Sequence, residues 1–140
     1  MGTILRNPVD LSASGWQPGV IQRTLNIVGE DPGIDSIIFV FQSGFIAGSA
    51  ERFGVDPKIM LEYQVNEVAS ASGNITVPVI CNNPIPYEEL AVEDLRLHVK
   101  REVEKKNIPA FLTIERTVKA LKRYYDYSRF AADGEPMPAA

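Results

Sequence analysis

The sequence predicts an α/β fold, with a mostly parallel sheet and helices on both of its faces. Three observations lead there. Residues 36–41 (Ser-Ile-Ile-Phe-Val-Phe) and 77–81 (Val-Pro-Val-Ile-Cys) are short, rich in β-branched residues and almost continuously apolar, as strands covered on both sides are. The stretches around them carry apolar residues at helical spacing. Short links join the two kinds of segment, and such alternation builds parallel sheets through crossover helices.

The elements follow in order. Pro18 suits a first helical turn, and Ile21, Leu25 and Val28 stand at the i, i+4, i+7 spacing of one face. Gly29 and Asp31-Pro32-Gly33 stop that helix. After the strand at 36–41, the glycine-bearing stretch from Gln42 to Ser49 reads as a loop. Asp56-Pro57 caps a helix whose stripe is Leu61, Val65 and Val68, and Gly73-Asn74 ends it. Pro78 pushes the next strand towards a sheet edge, and Asn82-Asn83-Pro84 turns the chain. A helix over 86–106 has Glu88, Glu89, Glu93 and Asp94 early and Lys100, Arg101, Lys105 and Lys106 late, matching the helix dipole; Ala91, Leu95, Val99 and Val103 form its inner stripe. A strand over 108–113 leads to a last helix capped by Thr113, expected to lay Ile114, Val118, Leu121 and Tyr125 on the sheet. Residues 1–130 thus form one domain, and 131–140 a loose tail.

Composition bounds the function. At 140 residues, 45% hydrophobic and 23% charged, the chain is one globular domain and not a disordered, collagenous or coiled-coil protein. No apolar run approaches the ~18 residues of a membrane span, no signal pattern opens the chain, and the single cysteine, Cys81, calls for no oxidising compartment, so a cytoplasmic protein is expected. Charge is divided. Residues 1–95 hold 4 basic and 12 acidic side chains (net −8), residues 96–129 hold 10 and 4 (net +6), and the tail adds −2, giving −4. An acidic chain is a poor nucleic-acid ligand, so the basic stretch, with Tyr124, Tyr125 and Tyr127 among its cations, fits an acidic protein surface better.

Chemistry-bearing motifs are few. The only histidine, His98, sits within a helix between Asp94 and Glu102, where a surface imidazole and not a catalytic base is expected. One Cys and one His make no metal set, and no GxxxxGK[ST] loop is present. Ligands of parallel α/β folds sit beyond the carboxyl ends of the strands. Two segments there could hold an anion: Gly44 to Ser49 through backbone amides, and Ser12, Ser14 and Gly15 ahead of a helix.

Arg6-Asn7-Pro8-Val9-Asp10-Leu11 and Glu30-Asp31-Pro32-Gly33-Ile34-Asp35-Ser36-Ile37-Ile38, with Asn107-Ile108-Pro109-Ala110-Phe111 and Thr113-Ile114-Glu115-Arg116 near the end, resemble the NDP-forming (ADP-forming) acyl-CoA synthetase family. The similarity is to its CoA-ligase-like module, related to the C-terminal domain of succinyl-CoA synthetase β subunits. It implies a flavodoxin-like three-layer α/β/α fold with four to five mostly parallel strands. It also implies a module or small subunit that is not catalytic alone, in an acid–thiol ligase working through a phosphohistidine. CoA-binding, phosphohistidine-bearing and nucleotide-grasp modules would be its partners; CoA, ATP/ADP and Mg would belong to the complete enzyme. Asn7, Pro8, Asp10, Ser43, Gly44 and Phe45 would line the phosphohistidine site. Where the family's related domains have a Gly-Gly-Ile segment, this chain has Ser43-Gly44-Phe45-Ile46. Two alternatives stand beside this reading: a stand-alone binding protein holding a phosphate-bearing ligand such as FMN on Ser12, Ser14 and Gly15, and a non-catalytic scaffold; on any of the three readings a homo-oligomer is open.

Overall fold

A computed structural model describes residues 8–71, 79–82 and 90–133. A short 3-10 turn, Ser12–Trp16, precedes α1 (Val20–Gly29) and β1 (Phe39–Gln42). Then come α2 (Ser43–Phe53), α3 (Pro57–Ala69), β2 (Val79–Asn82), α4 (Leu90–Lys105), β3 (Ala110–Phe111) and α5 (Ile114–Asp133).

Local chemistry explains most boundaries. Asp56 accepts a hydrogen bond from the Lys58 amide at 2.8 Å and Pro57 opens α3, while Gly54, with φ +65°, closes α2 in the left-handed region. α1 starts after Gly19, whose φ is +78°.

One apolar cluster ties the elements together. Ile21 and Leu25 of α1, Phe41 of β1, Ile46 of α2, Leu61, Val65 and Val68 of α3, Val79 of β2, and Leu95, Val99 and Val103 of α4 all bury their side chains in it. α3 is its hub, packed against α1, α2 and α4. Val92, not Ala91, begins the buried stripe of α4.

The flavodoxin-like three-layer fold expected from the sequence is overturned. The described residues are mostly helical, five α-helices against strands of four, four and two residues. Those strands pair in parallel in the order β1-β2-β3, Phe39 to Gln42 opposite Val79 to Asn82, and Val79 and Ile80 opposite Ala110 and Phe111. The physical reason is the size of the strands: strands of four, four and two residues offer little surface for helices to cover on two faces. The strands are also shorter than the apolar runs: Ser36 makes only a single bridge, and Ile37 and Ile38 lie outside β1.

Three further expectations change. The stretch read as a loop, Gln42 to Ser49, is mostly the first turns of α2, where burial of Ile46 and Ala50 outweighs the poor helix propensity of Gly44 and Gly48. α5 meets β2 and β3, but not through the expected stripe: Ile114, Val118 and Tyr125 are 56%, 50% and 55% exposed, and Thr117 is its buried point. It also runs to Asp133, into the segment expected to be loose. The expected helix start at 86–89 and strand start at 77–78 lie outside the described residues.

Candidate functional site

All three strands run parallel, so their carboxyl ends share one edge. α2 starts there immediately after Gln42, and α5 starts there after Thr113. Two helix N-termini, each carrying unsatisfied amides and the positive end of a dipole, therefore face the same edge.

The two are finished differently. At α5 the Thr113 hydroxyl accepts from the Arg116 amide at 3.3 Å. A backbone amide hydrogen bond first, and then the Thr113 side chain, hold the Glu115 carboxyl below its ordinary pKa. At α2 the residue in the capping position, Gln42 (φ −107°, ψ 83°), makes no side-chain cap, and the first turn carries no acid. Ser43, the first residue of α2, is wholly buried, and its Oγ has no hydrogen-bond partner among the described residues. Gly44 is buried beside it; Gln42 and Phe45 are exposed. A buried hydroxyl left unsatisfied costs about 1–3 kcal/mol, so an acceptor at this end of α2 would be favourable.

The 3-10 turn reaches the same place. Trp16 stacks on Phe45 with ring centroids 6.3 Å apart and planes 25° from parallel. This contact ties the end of the 3-10 turn to the exposed ring of Phe45. The turn is a poor phosphate loop, however. The Ser12 amide already donates to Asp10 Oδ1 at 2.7 Å, the Ser14 amide donates to the Leu11 carbonyl at 3.0 Å, and Gly15 is buried. Asp10 would also repel an anion there. Pro8 and Asp10 are exposed, and Asn7 lies outside the described residues.

His98 lies on α4 with Asp94 and Glu102 one turn to either side, as expected, and it also reaches a neighbouring helix. Its Nε2 lies 3.1 Å from Glu62 Oε1 of α3 and joins the two helices. The cations of α4 are mostly engaged locally, Arg96 with Glu93, Lys100 with Glu104 and Lys105 with Glu102. On α5, Lys122 pairs with Asp126, while Arg116, Lys119 and Arg123 line an open groove of about 450 Å³ with Ala120.

One polar cluster was not anticipated from the sequence. The Glu67 carboxylate of α3 accepts from the Gly19 amide at 3.0 Å and the Gln22 amide at 3.3 Å, closing the N-terminus of α1, and the Tyr63 hydroxyl donates to it at 3.1 Å. The i, i+4 spacing of Tyr63 and Glu67 was visible; their distant partner was not. Among the described residues no group of three His, Cys, Asp or Glu side chains could hold a metal ion, and no helix is long and apolar enough to cross a membrane.

Comparison with protein-family models, with curated proteins and with solved structures finds no match to this chain.

Proposed function

We propose that the chain is a binding module, not catalytic alone, that receives an anionic group of phosphoryl type at the N-terminus of α2. One observation carries the reading: the buried, unpartnered Ser43 hydroxyl on the first residue of a helix that no side chain caps. Amides of the first turn and the Ser43 hydroxyl are donors of the kind such a group requires. Among the described residues no hydrogen-bond partner, and so no base, touches the Ser43 hydroxyl, which favours holding a group over transferring it.

The resemblance of residues 6–11 and 30–38 to ADP-forming acyl-CoA synthetases supplies one identity for that group, a phosphohistidine presented by a partner module. Ser43, Gly44 and Phe45 are the residues that resemblance assigns to the phosphohistidine site, and they open α2. CoA, nucleotide and Mg would then be bound by the partner modules.

The test is a titration of the full chain, followed by amide NMR, with inorganic phosphate in one arm and a phosphohistidine-bearing peptide in the other. The amides of Ser43, Gly44 and Phe45 should shift. Ser43→Ala should weaken the effect, and Gln42→Asp should abolish it by filling the end of the helix with its own carboxylate. A response to the peptide but not to phosphate favours the partner-borne group; a response to both favours a free phosphate-bearing ligand. Silence of these amides in both arms overturns the proposal.

A further inference from the structure

The basic stretch at 96–129 does not act as one surface. Arg96, Lys100 and Lys105 of α4 and Lys122 of α5 are spent on carboxylates of their own helices. Arg116, Lys119 and Arg123 of α5 are exposed, and among the described residues no ion pair holds them. Glu115 feels the charge of Lys119, but a backbone amide and Thr113 already engage its carboxylate. At 3.6 residues per turn, positions 116, 119, 120, 123, 127 and 130 share one side of α5, away from Ile114, Val118 and Tyr125. The three cations stand around the open groove over Ala120, and Tyr127 and Phe130, 58% and 40% exposed, prolong the face. No acidic residue occupies any of these positions. Like charges three and four residues apart on a helix repel one another, and an anion laid over them removes that cost.

We propose that this face docks an acidic helical segment of a partner protein, its carboxylates paired with Arg116, Lys119 and Arg123 and an apolar side chain resting on Tyr127 and Phe130. Charge complementarity and reach select that occupant. The three cations span about 10 Å along the axis, two helical turns, which is the interval over which a facing helix sets carboxylates one turn apart. Two of the three are guanidinium forks, which take carboxylates bidentately. Ala120 keeps the middle of the face low, so that a second helix can come close. A nucleic-acid duplex fits worse: firm binding takes roughly 6–10 phosphate contacts, and residues 1–95, with a net charge of −8, repel a long polyanion. A lipid surface also fits worse, because membrane-surface helices set their cations beside a broad apolar face, whereas here cations hold the centre.

Fluorescence anisotropy of a labelled helical peptide against the full chain tests this. The peptide carries glutamates at i, i+4 and i+7 and a leucine one turn beyond; its twin has glutamine in place of each glutamate. The glutamate peptide should bind, more weakly as salt rises, and the glutamine peptide should not. Arg116→Gln, Lys119→Gln and Arg123→Gln together should weaken binding about tenfold or more, with unchanged helical circular dichroism. Lys100→Gln, Lys105→Gln and Lys106→Gln together remove the same charge from α4 and should change it less than about twofold. Failure to bind the glutamate peptide, equal binding of its twin, or equal loss from the two triple variants overturns the proposal. So does tighter binding to duplex DNA or to phosphatidylserine vesicles than to the peptide.

Discussion

The Glu67 carboxylate caps a helix to which it does not belong: Gly19, 48 residues earlier, donates its amide to Glu67 Oε1 at 3.0 Å. The same carboxylate takes the Gln22 amide on its other oxygen, and Tyr63 donates its hydroxyl to it. α1 and α3 are thus joined by charge-assisted hydrogen bonds at one end and by Ile21, Leu25, Leu61, Val65 and Val68 along their faces. Glu67→Gln keeps the shape but loses the charge at the dipole end, and should cost roughly 1–2 kcal/mol in urea titration. Gly19→Ala meets no atom within 4 Å, so its cost comes from φ +78° alone and should be about 1–2 kcal/mol. Loss of less than a few tenths by both variants would show that water replaces this cap freely.

The same cluster sets a pH dependence. Burial first, then the hydrogen bond with Glu67, push the Tyr63 hydroxyl above its ordinary pKa. The folded state therefore holds this proton more tightly than the unfolded chain does. Its contribution is full below about pH 10, the ordinary tyrosine value, and is lost as pH rises through the higher folded value. Tyr63→Phe should flatten the alkaline limb of stability against pH. On the acid side, the Arg96 side chain holds Glu93 down and the Lys105 side chain holds Glu102 down. These contributions are present above the ordinary carboxylate range and fade as pH falls through the lowered values. Both are surface pairs, so added salt should shrink that acid limb.

Helix faces should separate sharply in mutational cost. Leu61 is fully buried at the hub of the core, and Leu61→Ala should cost about 2–5 kcal/mol. Val118 is 50% exposed, and Val118→Ala should cost less than about 1 kcal/mol. Equal costs would place this face of α5 against the body of the protein after all.

α1, α3 and α4 were legible because an apolar stripe with a cap or stop signal specifies a helix locally: Leu61, Val65 and Val68 after Asp56-Pro57 are the clearest case. α2 was not. Ser43, Gly44, Gly48 and Ser49 argue against a helix one by one, and only the tertiary burial of Ile46 and Ala50 reverses them. Periodicity showed that α5 has one apolar face, but the helix meets β2 and β3 with Thr117 buried while Ile114, Val118 and Tyr125 stay half exposed. Ser43, Gly44 and Phe45 were singled out as residues following a strand. That a helix starts on Ser43, with the hydroxyl buried and unpaired, depends on packing that no local pattern encodes. Glu67 with Gly19, and Glu62 with His98, are long-range meetings of the same kind.

Ser43 offers the sharpest test of whether stability has been given up for binding. Its hydroxyl is desolvated without a partner, so Ser43→Ala should leave the free protein equally stable, or more stable by as much as ~1–3 kcal/mol. The same change removes a donor from the start of α2 and should weaken the phosphate or phosphohistidine response. A structural serine would behave oppositely, its loss lowering the melting temperature and any binding falling only in proportion. Ser43→Thr supplies the control. It restores the hydroxyl but adds a methyl group where the side chain has no free surface, so it should lower stability while retaining a donor. Melting and amide-shift measurements on the three proteins separate the cases: opposite signs for stability and binding in Ser43→Ala mark a binding residue, and parallel losses mark a packing one.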